Sequence, residues 1–209
     1  MTTILIARHG NTFDPGQVAV RIGLRTNLPL SVSGQKQAKN LGHYLKQYKI
    51  TPVAAYTSHL KRSQETLRIA LEEAGLKLTP DIRAMFDEID YGPDEGKTYE
   101  EIIQRIGAKA LEDWDTMAVV PQGWIANVDQ IVQNWKDFAN EVVSKYPNQT
   151  VIVVTSNGIA RFAPYLTNNF FGFSQNHKIK LATGAFGSLS YHAGNWQIDY
   201  WNEVPQAVE

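Results

Sequence analysis

Cysteine is absent from the 209 residues of this chain. Disulfide bonds, thiolate metal sites and cysteine nucleophiles are therefore excluded. Long hydrophobic runs are absent too, and none approaches the roughly 20 apolar residues that a membrane-spanning helix requires. Residues 1–7 lack the basic segment followed by an apolar stretch that marks a secretory signal. We therefore expect a cytoplasmic protein.

An excess of charge of one sign is also missing, because 20 Lys and Arg residues balance 21 Asp and Glu residues to a formal net charge of −1. This balance gives no support to nucleic acid or a membrane surface as a partner. With 43% hydrophobic and 20% charged residues, the composition is that of a globular protein. No repeat, low-complexity segment or linker divides the chain, so we predict one domain over residues 1–209.

Short β-branched apolar runs alternate with helical patterns along the chain. The runs predict buried strands at 3–7, 53–57 and 150–155, and a terminal hairpin at 185–192 and 196–202. Because strands alternate with long helices, the pattern predicts an α/β three-layer sandwich, a mostly parallel central sheet flanked by helices.

The helical patterns have apolar residues at steps of three and four. They predict helices over 33–48, with Ser31 or Ser33 as N-cap, and over 60–74, closed by Gly75. Two further apolar stripes predict helical structure in the middle of the chain, at 99–114 and 128–143. Another helix is expected to begin near Gly158.

Polar side chains follow three of the predicted strands, where α/β sheets bind their ligands. The first exit carries Arg8, His9, Asn11 and Thr12, the second carries His59 and Arg62, and the third carries Ser156 and Asn157. Arg21 and Arg25 lie in the loop after the first exit. Helix N-termini and guanidinium groups both favour phosphate, so this edge of the sheet is predicted to bind an anion.

Four sequence blocks occur in a fixed order over most of the chain: RHGNT at 8–12, LPLSVSGQKQA at 28–38, TSHLKRSQET at 57–66 and EIDYGPDEGKTYEEI at 88–102. Arg21 with Gly23 lies between the first two, and KLATGAF at 180–186 follows near the end. This order resembles the histidine phosphatase superfamily, which includes the cofactor-dependent phosphoglycerate mutases. The resemblance implies a phosphoglycerate mutase-like fold in a single histidine-phosphatase-like domain.

The resemblance also implies a mechanism that uses a phosphohistidine. His9 would attack phosphorus, Arg8 and Arg62 would stabilise the phosphoryl oxygens, and Glu88 would protonate the leaving oxygen and then activate water. Further contacts to phosphate or substrate are expected from polar residues of the same exits and the first loop: Arg21, Asn11, Ser156 and Asn157. No metal or cofactor is required, because the arginines supply the counter-charge.

Each role has a simpler alternative in the sequence. Arg62 could be solvated or paired with Glu65 or Glu72, and Glu88 stands in an acidic loop that could face solvent. His59 is expected to point near the mouth of the site, with or without a role there.

The sequence departs from the family pattern at the predicted site. Ser156 stands where the family has a second histidine, which removes a preorganised donor of a kind worth about 10²–10³ in rate. Pro15 replaces a family asparagine, and Gly123-Trp124-Ile125 replaces a block that carries a carboxylate.

These observations leave three functions open. We favour hydrolysis of a small phosphorylated metabolite over phosphoglycerate mutase or bisphosphatase activity, because a mutase needs a lid and the tail 204–209 carries no cation. The third hypothesis, from the loss of histidine at Ser156, is a weakly active or inactive phosphate-binding module. The expected partner is a small phosphorylated substrate, and a homodimer is compatible with the sequence.

Overall fold

In the computed structural model, which describes residues 1–206, the strands form one mixed six-stranded sheet. Residues 207–209, the end of the cation-free tail, lie outside the described part. The strands are β1 (Thr2–Arg8), β2 (Ala54–Thr57), β3 (Asp81–Ile82), β4 (Thr150–Thr155), β5 (Phe186–His192) and β6 (Asn195–Glu203).

The strand order is β3-β2-β4-β1-β5-β6. The first four strands of this order pair in parallel, while β5 runs antiparallel to both β1 and β6. All strands except β5 therefore point the same way, which confirms the prediction of a mostly parallel sheet.

Helices cover both faces of this sheet: α1 (Val32–Gln47), α2 (Lys61–Ala74), α3 (Tyr99–Ile106), α4 (Ala108–Met117), α5 (Val128–Lys145), α6 (Asn157–Ala160) and α7 (Phe170–Asn176). Because side chains alternate along a strand, β1 supplies both cores. Leu5 and Ala7 pack with α1 and α2, whereas Ile4 and Ile6 pack with residues of α3, α4 and α5. The predicted three-layer sandwich is thus confirmed.

The structure corrects several predicted boundaries. The stripe at 99–114 is divided into α3 and α4 at Gly107, whose φ of 79° lies in the left-handed region that a continuous helix cannot contain. Ser31, not Ser33, caps α1, because its hydroxyl accepts a hydrogen bond from the Gly34 amide at 3.2 Å. The helix near Gly158 is the single turn α6.

Three elements between α2 and α3 are too short for sequence periodicity to predict. Strand β3 has only two residues, and the segment between it and α3 contains the short 3₁₀ helices Ala84–Phe86 and Gly92–Asp94. Among the helices of residues 1–206, none has both the length and the apolar character needed to cross a membrane.

Candidate active site

The three polar strand exits meet at one edge of the sheet because β4 lies between β1 and β2. The His9 amide donates to the Thr155 carbonyl at 3.1 Å, which joins the first exit to the third. The Thr57 hydroxyl donates to the Val154 carbonyl at 3.0 Å, which joins the second exit to the third. The predicted convergence of these exits is therefore present.

His9 is buried in a turn that fixes its ring and its tautomer. Its Nδ1 lies 2.8 Å from the Gly10 carbonyl, and its Nε2 lies 3.2 Å from Nε of Arg62. A carbonyl can only accept and a guanidinium can only donate, so Nδ1 carries the proton and Nε2 carries the lone pair. Burial, together with the charges of Arg62 and Arg8, lowers the pKa of His9 well below its ordinary value of 6.5. The imidazole is therefore neutral and nucleophilic at neutral pH.

Arg62 holds this ring from the start of α2. Its side chain is fully buried and donates to the carbonyls of Thr26 at 2.7 Å and Gly23 at 3.1 Å as well as to His9. Burial lowers its pKa, yet the guanidinium remains charged near neutral pH. Arg62 is thus neither solvated nor paired with the carboxylates that sequence offered as alternatives.

The acidic loop at 87–90 divides into an inward and an outward carboxylate. Glu88 is 5% exposed and accepts hydrogen bonds from the amides of Ile89 at 2.9 Å and Gly158 at 3.2 Å. Asp87 instead pairs with the exposed ring of His59 at 3.0 Å. The solvated alternative is therefore wrong for Glu88, and His59 is committed to the surface.

A cleft of about 340 Å³ opens above these groups. Of the residues predicted for the site, six line it: Arg8, His9, Asn11, Arg21, Glu88 and Asn157. Arg62 and Ser156 do not. Arg62 reaches the site through its bond to His9, while Ser156 is fully buried and its hydroxyl has no hydrogen-bond partner within residues 1–206.

The side chains of Arg8 and Asn157 are tied to one residue, Leu181, of the loop before β5. Arg8 donates to the Leu181 carbonyl at 2.8 Å, and the Asn157 side-chain oxygen accepts from the Leu181 amide at 3.0 Å. Burial lowers the pKa of Arg8, which still carries its charge near neutral pH.

Asn11 and Arg21 approach the cleft from the first loop. The Asn11 side chain accepts from the Thr183 hydroxyl and donates to the Ser33 hydroxyl, so both ends of its side-chain amide already have hydrogen-bond partners within the protein. The Arg21 guanidinium lies 5.0 Å from the ring centres of both Tyr91 and Trp124. These aromatic rings orient a cation in the cleft wall.

Sequence reasoning did not single out other residues that line the cleft, among them Phe13, Tyr91, Lys97, Tyr99, Lys180 and Thr183. Lys97 and Tyr99 belong to the matched block at 88–102, and Lys180 and Thr183 to the one at 180–186, so that context was the available signal.

The charge of the cleft differs from that of the whole chain. Four cationic side chains line it, Arg8, Arg21, Lys97 and Lys180, against the single carboxylate of Glu88. With the neutral imidazole of His9 beside them, they form an environment suited to a phosphate group.

Sequence comparisons agree with this geometry. A family model described as histidine phosphatase superfamily (branch 1) matches residues 4–204. An uncharacterized phosphatase, PhoE, of Bacillus subtilis is 26% identical over 205 residues, which cover 97% of this chain and 95% of that protein. A 2,3-bisphosphoglycerate-dependent phosphoglycerate mutase of a Hydrogenobaculum species is 30% identical over 122 residues, which cover 58% of this chain and only 49% of the mutase.

Solved structures share the fold along nearly the whole chain. A mycobacterial glucosyl-3-phosphoglycerate phosphatase superposes with a TM-score of 0.78 at 20% identity and covers 96% of this chain and 98% of its own. The alpha-ribazole phosphatase of Shigella flexneri superposes with a TM-score of 0.71 at 19% identity and covers 99% of each chain. At these identities the likeness concerns the fold alone.

Proposed function

This chain belongs to the histidine phosphatase superfamily (branch 1), and from that premise we propose that it hydrolyses small phosphomonoesters through a phosphohistidine at His9. The observation that carries the proposal is the locked tautomer of His9. Nδ1 is protonated against the Gly10 carbonyl, so the lone pair lies on Nε2, where it accepts from Nε of Arg62 in the free protein. When substrate binds, Arg62 donates to a phosphoryl oxygen instead, which frees this lone pair for in-line attack on phosphorus.

In the first step, Nε2 of His9 forms a bond to phosphorus while the bond from phosphorus to the ester oxygen breaks. Glu88, in its protonated form, gives its proton to the departing alkoxide and becomes a carboxylate. Arg8 and Arg21 in the cleft stabilise the charge on the phosphoryl oxygens. Arg62, which contacts Nε2 in the free protein, then donates to the phosphoryl group and supplies positive charge next to Nε2.

In the second step, water attacks phosphorus as the Glu88 carboxylate accepts its proton. The bond from phosphorus to Nε2 breaks and releases inorganic phosphate, which returns His9 to its neutral state and Glu88 to its acid form. The two amides that hold Glu88 at 2.9 and 3.2 Å keep its carboxyl group in one place for both proton transfers.

Hydrolysis is preferred to mutase action because the match to full-length relatives is with a phosphatase. The PhoE alignment covers 95% of that protein, while the mutase alignment covers about half of the mutase. The substrates in the names of the structural neighbours differ from each other, so neither is transferred to this chain.

One observation favours a second function, phosphate binding with little or no turnover. Ser156, which the sequence resemblance aligns with the second family histidine, is fully buried and does not line the cleft. Its hydroxyl therefore does not replace the missing imidazole as a donor to the phosphoryl group in this geometry.

Phosphate release over a panel of phosphomonoesters separates these functions. We expect turnover by the wild-type protein, a loss of at least about 10³-fold in His9→Ala, and a smaller loss in Glu88→Gln, since general acid catalysis contributes about 10²–10⁴. Turnover by His9→Ala equal to wild type would reject the proposal. Phosphate or vanadate binding without turnover by the wild-type protein would favour the binding module, and isomerised phosphoglycerate instead of released phosphate would indicate a mutase.

A further inference from the structure

Lys180 is a cation of the cleft that the proposed mechanism does not use. It lies in the loop before β5, between two residues, Ile179 and Leu181, that are fully buried. Such an alternation leaves Lys180 as the residue of this segment that can extend its charge into the opening.

The backbone on both sides of Lys180 is fixed. The Ile179 carbonyl accepts from the indole of Trp201 at 3.2 Å, and the carbonyl and amide of Leu181 are bonded to the side chains of Arg8 and Asn157, as described above. Lys180 therefore directly precedes the residue that bonds to two groups of the phosphate site, and the backbone of both its neighbours is hydrogen-bonded.

The ammonium group of Lys180 forms an ion pair with a carboxylate that also contacts a second cation. Asp115 of α4 lies 2.8 Å from Nζ of Lys180 and 3.6 Å from Nη2 of Arg161. The Arg161 guanidinium is buried and stacked 3.9 Å from the Trp114 ring, and burial lowers its pKa to about 10, so it keeps its charge. One carboxylate thus faces two cations, so Lys180, Arg161 and Asp115 together carry a net positive charge.

The positive charge of Lys180 is not required to neutralise the transferring phosphoryl group. Arg8, Arg21 and the buried Arg62 already provide three cations for a phosphate dianion. Lys97, the other lysine of the cleft, has its own carboxylate partner, Glu101, at 3.4 Å.

We propose that Lys180 is a specificity-determining residue, which binds a second anionic group on the alcohol part of the substrate. The favoured substrates are then phosphomonoesters whose alcohol carries a carboxylate or another anion. The proposal rests on the phosphatase function proposed above and extends it to the substrate class. Asp115 positions the ammonium group in the free protein and shares it with the substrate anion on binding.

The test compares phenyl phosphate with its 3-carboxyphenyl and 4-carboxyphenyl analogues, which differ only in the second anion. For wild type, Lys180→Met and Lys178→Met, kcat/KM is measured on all three. Lys178 is the matched control, because it is exposed in the same loop and outside the cleft, and its substitution removes the same charge.

We expect the ratio of kcat/KM for the better carboxyphenyl ester to that for phenyl phosphate to fall about fivefold in Lys180→Met, as for loss of one partly exposed ion pair. In Lys178→Met it should change less than twofold. Lys180→Glu should lower the ratio further, because it places a like charge at the same position.

An unchanged ratio in Lys180→Met and Lys180→Glu would overturn the proposed role of Lys180. The phosphatase function would still be supported in that case if the protein hydrolyses phenyl phosphate. An equal fall in Lys178→Met would also overturn it, since the effect would then come from net charge. Absence of phenyl phosphate turnover and of phosphoenzyme in wild type would reject the phosphatase function itself.

Discussion

Replacing Gly158 with alanine should displace the Glu88 carboxyl group from the position in which the proposed mechanism uses it. A Cβ built on Gly158 would lie 2.0 Å from Oε1 of Glu88 and 3.0 Å from its Cδ. Oε1 must therefore retreat by about 1.4 Å to reach an ordinary contact of 3.4 Å, and a misplacement of about 1 Å can already cost about 10²-fold in rate. The same shift breaks the bond from the Gly158 amide to Oε2, now 3.2 Å.

The loss should depend on how much the leaving group needs a proton. For an alkyl phosphate we expect kcat to fall about 10²-fold in Gly158→Ala, whereas for p-nitrophenyl phosphate, whose phenolate leaves without protonation, it should fall less than about tenfold. Both are measured by steady-state phosphate release, with Glu88→Gln as reference and Glu100→Gln, an exposed carboxylate of α3, as control.

Equal losses on the two substrates would refute the reasoning about Glu88, and so would a loss below threefold on the alkyl ester. Thermal unfolding of Gly158→Ala distinguishes a local shift from unfolding. Overpacking of a buried site costs about 1–3 kcal/mol, which a folded variant can tolerate.

Three further predictions concern charge and stability. Between pH 7 and pH 5, the free energy of unfolding should fall more in wild type than in His9→Gln. Burial and the nearby Arg62 lower the pKa of His9 in the folded protein below 6.5, so that in this range the unfolded chain binds a proton at His9 and the folded protein does not. Equal losses in denaturant titrations would contradict this. Arg62→Lys should slow phosphoenzyme formation by at least about 10²-fold, because the single nitrogen of lysine cannot reach the three acceptors that the three guanidinium nitrogens contact. A rapid-quench loss below tenfold would argue against this role. Asp94→Ala should lower stability by about 2 kcal/mol in denaturant titrations, because the buried Trp124 indole and Arg105 lose their acceptor; no change would show that other groups replace it.

The fold was largely predictable because the spacing of apolar residues along the sequence indicates which segments form strands and which form helices. Alternation in β1 and the spacing of apolar residues in α1 and α2 depend on burial, which sequence records directly. The break at Gly107 and the two-residue strand β3 were not predictable, since a glycine is also tolerated within a helix and a pair of residues has no period.

The sequence predicted which strand ends form the site, but not the hydrogen-bond partners and burial of each side chain there. His9, Arg8 and Glu88 meet as the sequence indicated, whereas Asn11 is occupied by Thr183 and Ser33, and Ser156 lies behind the cleft wall. The hydrogen bonds of Asn11 and the burial of Ser156 depend on contacts between segments that are distant in the chain, as does the pairing of Lys180 with Asp115. One sequence carries no record of those contacts.

Mapping the phosphoenzyme tests the central claim most directly. Wild-type protein is mixed with p-nitrophenyl phosphate, quenched in alkali within milliseconds to seconds, and analysed by intact mass and peptide sequencing. The account predicts one added phosphoryl group, acid-labile and alkali-stable, on His9, and none in His9→Ala. A phosphoryl group on another residue, equal labelling of His9→Ala, or turnover with no trapped intermediate in wild type or in Glu88→Gln would contradict it.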